Sequence, residues 1–288
     1  GDIGDRAAVA RACAQRDVVF HTAAKVGLWG RYEDYYRANV EGTKNLLAAC
    51  YDARIKRFVF TGSPSVVFDG RDCEGVDESA PYPPRYDSFY SRTKALAEEM
   101  VLAANSPELW TVSLRPHLIW GPGDKHIIWR LIAQAKAGRL RRIGGLNKRV
   151  DTTYIDDAVD AHVRAAERLG ALPNPAGKAY FLSQGSALPL WDVVNGLLGA
   201  AGLPPVEDST PLWAARAAAC ACEAAWTLMR RDDEPPLTRF LVSQLTTAHW
   251  FDISAARRDL GYAPGVTFEE GLRRLAAWLA DAQPPSQR

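Results

Sequence analysis

Short apolar runs alternate with amphipathic stretches through the first 140 residues, and that alternation leaves few folds open. DVVFHTAA (17–24), RFVFTGS (57–63) and WTVSLRPHLIWG (110–121) each read as a buried strand running into a loop. Between them, residues 34–53 set Val40, Thr43, Leu46, Leu47 and Cys50 on one helical face. A second helix carries Tyr90 and Lys94, and residues 127–138 form a third, closed by its glycine. Strands and helices in this order imply βαβ units. The expected fold class is α/β, a Rossmann-type doubly wound parallel sheet.

Beyond residue 140 the pattern loosens. TTYIDDAVDAHVRAAERLG reads as a strand end and a helix capped by Asp156, KAYFLSQ as a strand, and residues 191–201 as a helix. DISAARRDLGYAP reads as a short helix stopped by Gly261 and Pro264. TFEEGLRRLAAWLADA opens with Thr267 and Glu270 in capping-box spacing, and residues 283–288 read as a frayed tail.

Charge narrows the partners. With 35 basic and 34 acidic residues there is no basic excess to track a phosphate backbone, so no nucleic-acid partner is expected. No N-terminal run has the layout of a signal peptide. The most apolar segment, residues 212–229, is Ala-rich and interrupted by Arg216 and Glu223. It reads as a buried or surface-lying helix rather than a span, which needs ~20 strongly apolar residues. Cys13, Cys50, Cys73, Cys220 and Cys222 are scattered, and the lone C-x-C has no partner pair or neighbouring histidines. They read as structural or inert thiols in a reducing cytosol, with no metal site.

Three groups carry chemistry. Tyr90 and Lys94, four residues apart, project from one helical face, where an ammonium favours the phenolate and lowers the phenol pKa. A tyrosine tuned in this way serves as general acid or base; by spacing alone an ordinary surface pair reads equally well. TGSPS (61–65) falls at the carboxyl end of a parallel strand, where open α/β sheets place their sites. Ser63 there is either a carbonyl-holding donor or a turn serine bonded to backbone. Asn39, inside a helix, either positions water or backbone near Lys94 or is simply exposed. No G-x-G-x-x-G turn occurs.

The order HTAA, YxxNVxGTxNLL, FVFTGSPSVVF, YSRTK and LRPHLIWGPGD resembles the extended short-chain dehydrogenase/reductase superfamily. Within it the chain is most similar to the 3β-hydroxysteroid dehydrogenase group, which includes C4-decarboxylating sterol dehydrogenases and 2-alkyl-3-oxoalkanoate reductases. HWFDISAARRDLGYAPGVTFEEGL resembles that group's carboxyl-terminal signature, and the likeness runs from Gly1 to Ala280. The resemblance implies a cofactor, NAD or NADP, and an oxidoreductase that interconverts hydroxyl and ketone on a hydrophobic substrate, a sterol or β-keto acid. It implies Tyr90 as acid/base, Lys94 as its tuner and ribose ligand, Ser63 as carbonyl holder and Asn39 as the helix asparagine. Asp2 and Ile3 would flank the adenine; Ala23, Ala24 and Lys25 would lie beside the cofactor; Pro116, His117 and Leu118 would meet its nicotinamide end. Residues 1–140 would be the cofactor domain, with later segments returning to it, and 141–282 mainly a smaller α/β substrate-binding subdomain.

Two departures qualify these expectations. The resembled proteins carry a glycine-rich βαβ unit before the position of Gly1, so the sheet reads as N-terminally incomplete. Where nucleotide-sugar epimerases and dehydratases carry a phosphate-gripping Arg, this chain has Val150, and Arg149 beside it would face the other way along a strand. That favours an apolar substrate. Trp29, Tyr32, Trp213, Trp226 and Phe240 are candidates to flank or cover the site, and the 212–229 helix is a candidate lipid-facing entrance with peripheral membrane contact. Dimers are common in the resembled family. The rival readings are a nucleotide-sugar epimerase or dehydratase, and a non-catalytic binding remnant.

Overall fold

In the computed structural model, which describes residues 1–145 and 147–282, four parallel strands form the central sheet. Their order is Val18–His21, Arg57–Thr61, Trp110–Pro116, Lys178–Leu182. Side chains alternate across a strand. Phe58 and Phe60 therefore pack with Cys50, Ala97, Val101 and Leu109 on one face, while Val59 joins Ala161, Ala165 and Leu260 on the other. Both faces are covered, which is why RFVFT is apolar without alternation. This is the doubly wound Rossmann-type arrangement expected.

Local readings needed five corrections. The 17–24 run is a strand only over Val18–His21, and Phe20 is 43% exposed, because the strand forms the sheet's edge. Residues 110–121 make two strands, since Leu118 turns through a positive φ of 43° before Ile119–Trp120 pairs with Thr153–Tyr154. The 34–53 helix starts at Tyr32 and contains a π-helical stretch, Tyr36–Glu41. Asp156 does not cap its helix: Tyr154 holds the cap position without a side-chain bond, and Asp156 pairs with Arg274 instead. Thr267 does accept from the Glu270 amide, at 3.2 Å, but the Glu270 carboxylate turns to Arg273 and Arg274, so the box is only half formed. The 283–288 tail lies outside the described residues.

A second core, around Trp120, Tyr154, Trp191, Leu197, Leu198 and Leu275, is built by helices Ile127–Lys136, Leu190–Ala200 and Phe268–Asp281. Beside it runs a mixed sheet in the order Leu188–Pro189, Arg149–Val150, His249–Phe251, Cys73–Val76. The chain crosses between the two cores repeatedly. Helix Leu212–Leu228 lies on the surface, burying only Ala215 and Ala219, with Trp213 75% and Leu228 86% exposed. Among the described residues no helix is long and apolar enough to cross a membrane, and no cluster of His, Cys, Asp or Glu is fit for a metal ion. All five cysteines are free.

The Phe89–Ala103 helix is fastened to the sheet by one buried carboxylate. Glu98 accepts from Arg115 Nη2 at 2.6 Å and Nε at 3.0 Å, from Ser113 Oγ at 2.6 Å and from the Tyr82 hydroxyl at 2.7 Å. Glycine at 62 allows this approach: a Cβ there would meet Ser113 Oγ at 2.6 Å and Glu98 Oε2 at 2.8 Å. A Glu98→Ala substitution leaves Arg115 buried and unpaired, and should cost about 3–5 kcal/mol, read as a lower urea midpoint.

A second carboxylate sets acid sensitivity. Asp259 accepts from Arg258 Nε at 2.7 Å, the Tyr180 hydroxyl at 2.9 Å and Lys178 Nζ at 3.2 Å. Chiefly through Arg258, its pKa is held down at about 2 against an ordinary 3.8. A depressed carboxylate contributes stability above its unfolded pKa and loses it as pH falls through the folded one. Between pH about 4 and 2 the native protein should lose roughly 1–2 kcal/mol that an Asp259→Asn variant does not lose, measured by urea melts across that range.

Candidate active site

A cavity of about 630 Å³ opens at the carboxyl ends of the parallel strands. Its lining at the strand ends comes from Thr22 and Ala24 after the edge strand, Thr61–Ser65 after the second, Pro116–Ile119 after the third, and Tyr90 and Lys94 from the helix. Ser88 starts that helix, its hydroxyl accepting from the Ser91 amide at 3.0 Å. One turn of helix therefore separates Tyr90 from Lys94, and both side chains reach the same cavity. The apolar wall includes Phe68, Phe240 and Phe251.

The electrostatics around Tyr90 differ from the simple pairing that the spacing implies. Burial raises the phenol pKa, with Ser63 acting in the opposite sense. Lys94, 3% exposed, donates to the Thr61 carbonyl at 2.6 Å and lies 4.0 Å over the Phe60 ring. Burial pushes its ammonium down to about 7, and Glu98 pulls it partly back. His21, beneath the site, is pushed down to about 3 by burial and then by Lys94, and it bonds Thr43 Oγ1 at 2.8 Å. Ser63 Oγ lies 2.9 Å from Ser65 Oγ.

Asn39 lies behind the cavity in the π-helical stretch, 2% exposed, so the exposed reading is excluded. Its Oδ1 accepts from the Lys25 amide at 2.7 Å; its Nδ2 donates to the Lys25 carbonyl at 3.1 Å and to Thr93 Oγ1 at 3.0 Å. One amide side chain thus clamps the loop after the edge strand to the Tyr90 helix. The π-turn's extra residue is a local distortion of a kind often found at functional sites.

The predicted site residues divide. Ser63, Tyr90, Lys94, Ala24, Pro116, His117 and Leu118 line the cavity; Ala23 and Lys25 belong to its bordering loop, and Asn39 supports that loop. Asp2 and Ile3 do not line it. Asp2 pairs with Arg37 at 2.8 Å, and Ile3 packs against the position of Gly42. Of the five aromatic candidates only Phe240 lines the cavity. Trp29 donates to the Arg231 carbonyl at 3.1 Å, Tyr32 packs on Phe89 and Tyr36, Trp226 lies under Arg231, and Trp213 faces outward. Val150 is fully buried, and Arg149 donates to the Ala187 carbonyl, so neither offers a phosphate clamp.

Sequence reasoning missed one cluster. His117 Nδ1 donates to Asp151 Oδ1 at 2.6 Å, and Asp151 Oδ2 accepts from the Phe251 amide at 2.9 Å. The His249 ring stands edge-on to His117 with centroids 5.0 Å apart, and both rings line the cavity. Burial, then His117, push the His249 pKa down to about 4. The available signal was HWFD, a motif that matched the group but had no chemistry assigned to it.

The family model for the 3-beta hydroxysteroid dehydrogenase/isomerase family matches residues 1–211, and the chain belongs to that family. It is 49% identical over 279 residues to the 2-alkyl-3-oxoalkanoate reductase of Stenotrophomonas maltophilia, covering 96% of this chain and 84% of that one. It is 34% identical to the 3-beta-hydroxysteroid dehydrogenase of Mycolicibacterium neoaurum, covering 98% and 79%. Among solved structures, MoeE5 in complex with UDP-glucose and NAD shares the fold, with a TM-score of 0.73 at 24% identity, covering 97% of this chain and 84% of that one.

An Asn39→Ala variant leaves the Lys25 amide and carbonyl without their partners, at about 1–3 kcal/mol for an unsatisfied group. Amide exchange at Lys25 should quicken selectively, while the far face of the sheet keeps its protection.

Proposed function

We propose that this chain is an NAD(P)-dependent oxidoreductase that interconverts a hydroxyl and a ketone on a hydrophobic substrate, a 3β-hydroxysteroid, sterol or β-keto acid. The observation that carries the reading is the meeting of Ser63, Tyr90 and Lys94 in one cavity whose lining is mainly apolar, with Phe68, Phe240 and Phe251 in it. Mostly apolar pockets with a few convergent polar groups are the usual form of small-molecule sites. The names of the relatives, reductases and dehydrogenases of alkyl-oxoalkanoates and steroids, support the same chemistry.

The residues present fit the nicotinamide–ribose end of the cofactor. Lys94 is a buried cation with only a backbone carbonyl for partner, suited to ribose hydroxyls, and residues 116–118 form a wall for the ring. When bound, the nicotinamide accepts or supplies the hydride. In the alcohol direction Tyr90 takes the hydroxyl proton as general base; in the ketone direction it returns that proton to the oxygen. Ser63 Oγ donates a hydrogen bond to the same oxygen and steadies its developing charge. Phe68, Phe240 and Phe251 keep water from that oxygen. Exposed Trp213, Leu228 and Met229 on the surface helix support peripheral contact with lipid, the source of such substrates.

The absence of an arginine at position 150 weighs against a nucleotide-sugar substrate. Tyr90→Phe should abolish turnover of sterols or β-hydroxy acids while calorimetric affinity for NADH or NADPH stays within about threefold, because the phenol's proton matters chiefly in the transition state. Wild-type turnover by that variant would sink the mechanism. Turnover of UDP- or dTDP-sugars, with none of sterols or hydroxy acids, would install the rival.

A further inference from the structure

The imidazole of His117 is 8% exposed, yet it lines the cavity. An ionised carboxylate only accepts hydrogen bonds, so the short contact with Asp151 places a proton on Nδ1 and fixes the ring plane. Asp151 is itself fixed from the other side by the Phe251 amide. Edge-on packing against His249 and Phe251, at 5.0 and 5.2 Å between centroids, leaves the ring no second orientation. His117 Nε2 has no protein partner among the described residues and stays open to the cavity. His249 cannot supply it a proton: its Nε2 donates to the Gln244 carbonyl at 2.8 Å, which leaves Nδ1 as a bare, buried and unpartnered acceptor.

A polar recess is therefore built into the cavity wall beside Phe251. We propose that His117, positioned by Asp151, recognises a carboxyl group of the substrate a short distance from the reacting carbon. At neutral pH that group is a carboxylate, which only accepts, so the imidazole takes one proton from solvent as the acid binds and Nε2–H donates to the carboxylate in a single charge-assisted bond. Asp151, on the far side of the ring, balances the positive charge the imidazole then carries. A hydroxyl would bring its own donor to the neutral ring, and no charge for that relay to answer.

This inference rests on the functional reading only in taking the cavity as the substrate's seat, and binding tests it independently of turnover. Three probes share a C11 carbinol tail: 3-hydroxydodecanoate, 2-undecanol, which lacks the carboxyl, and dodecane-1,3-diol, which replaces it by a hydroxyl. Calorimetry in the presence of NADH or NADPH should show wild-type protein binding the acid about 10- to 100-fold more tightly than the alcohol, the range of a hydrogen bond to a charged group. His117→Phe and His117→Gln, each first shown to melt like the wild type, should collapse the acid-to-alcohol ratio towards one. Any loss common to both ligands cancels in that ratio. Equal wild-type affinity for acid and alcohol would overturn the proposal without a variant. A diol bound as tightly as the acid, with the same dependence on His117, would make the recognised group a hydroxyl. Weakened dinucleotide binding with an intact ratio would make His117 a cofactor contact. Failure of turnover with the acid-to-alcohol ratio intact would count against the oxidoreductase reading alone.

Discussion

The buried contact between Glu98 and Arg115 is the joint on which the site is built. Glu98 is one helical turn beyond Lys94, and Arg115 is one residue before Pro116 at the cavity wall. The pair therefore fixes the register of helix against strand at the point where the two deliver Tyr90, Lys94 and the 116–118 turn to one cavity. Buried ion pairs contribute little net stability against apolar replacements of similar shape, and their clearest effect is on geometry. Here every oxygen of Glu98 is satisfied, by Arg115, Ser113 and Tyr82, which makes alternative registers of the helix costly.

Around that joint the cavity combines two kinds of polar group in an apolar setting. Ser63, Tyr90 and Lys94 lie together at the carboxyl ends of the sheet strands, as the fold prescribes. His117, Asp151 and His249 come from the turn after the third strand and from the second, mixed sheet. That sheet joins the chain's 70s, 150 and 250 into neighbours, and so seats a polar recess in the cavity wall. Glu234 ties the loop after Ala24 to the Ile127–Lys136 helix: it accepts from the Leu28 amide at 2.7 Å and from Arg130 at 2.6 Å. These contacts span residues far apart in sequence, and they make the loop after Ala24 part of the wall.

Much of the first half was legible because a doubly covered parallel sheet writes itself as short continuous apolar runs, and because Tyr90, Lys94 and Ser63 fall at fixed places relative to those runs. Asn39 was visible only as an oddity; its clamp on Lys25 needed the loop's position. The errors share one cause. Phe20, the split of 110–121 and the idle Asp156 each depend on what lies alongside in space, which periodicity does not encode. The aromatic candidates failed for the same reason: where Trp29, Tyr32, Trp213 and Trp226 lie relative to the cavity is set by how their segments pack, and Trp213 faces outward.

By itself the sequence determined the class of fold, through the alternation of strand and helix, and the shared helical face of Tyr90 and Lys94, through the four-residue spacing that one helix enforces. These are local properties, carried by neighbours within a turn or a strand. Tertiary structure alone decided which residues share the cavity. Asp151 meets His117 because the strands at 119–120 and 153–154 pair in parallel, and His249 joins them because parallel pairing sets it beside Val150, about a hundred residues away. Burial then sets the electrostatics, leaving Lys94 on a backbone carbonyl and, among the described residues, His117 Nε2 open to the cavity.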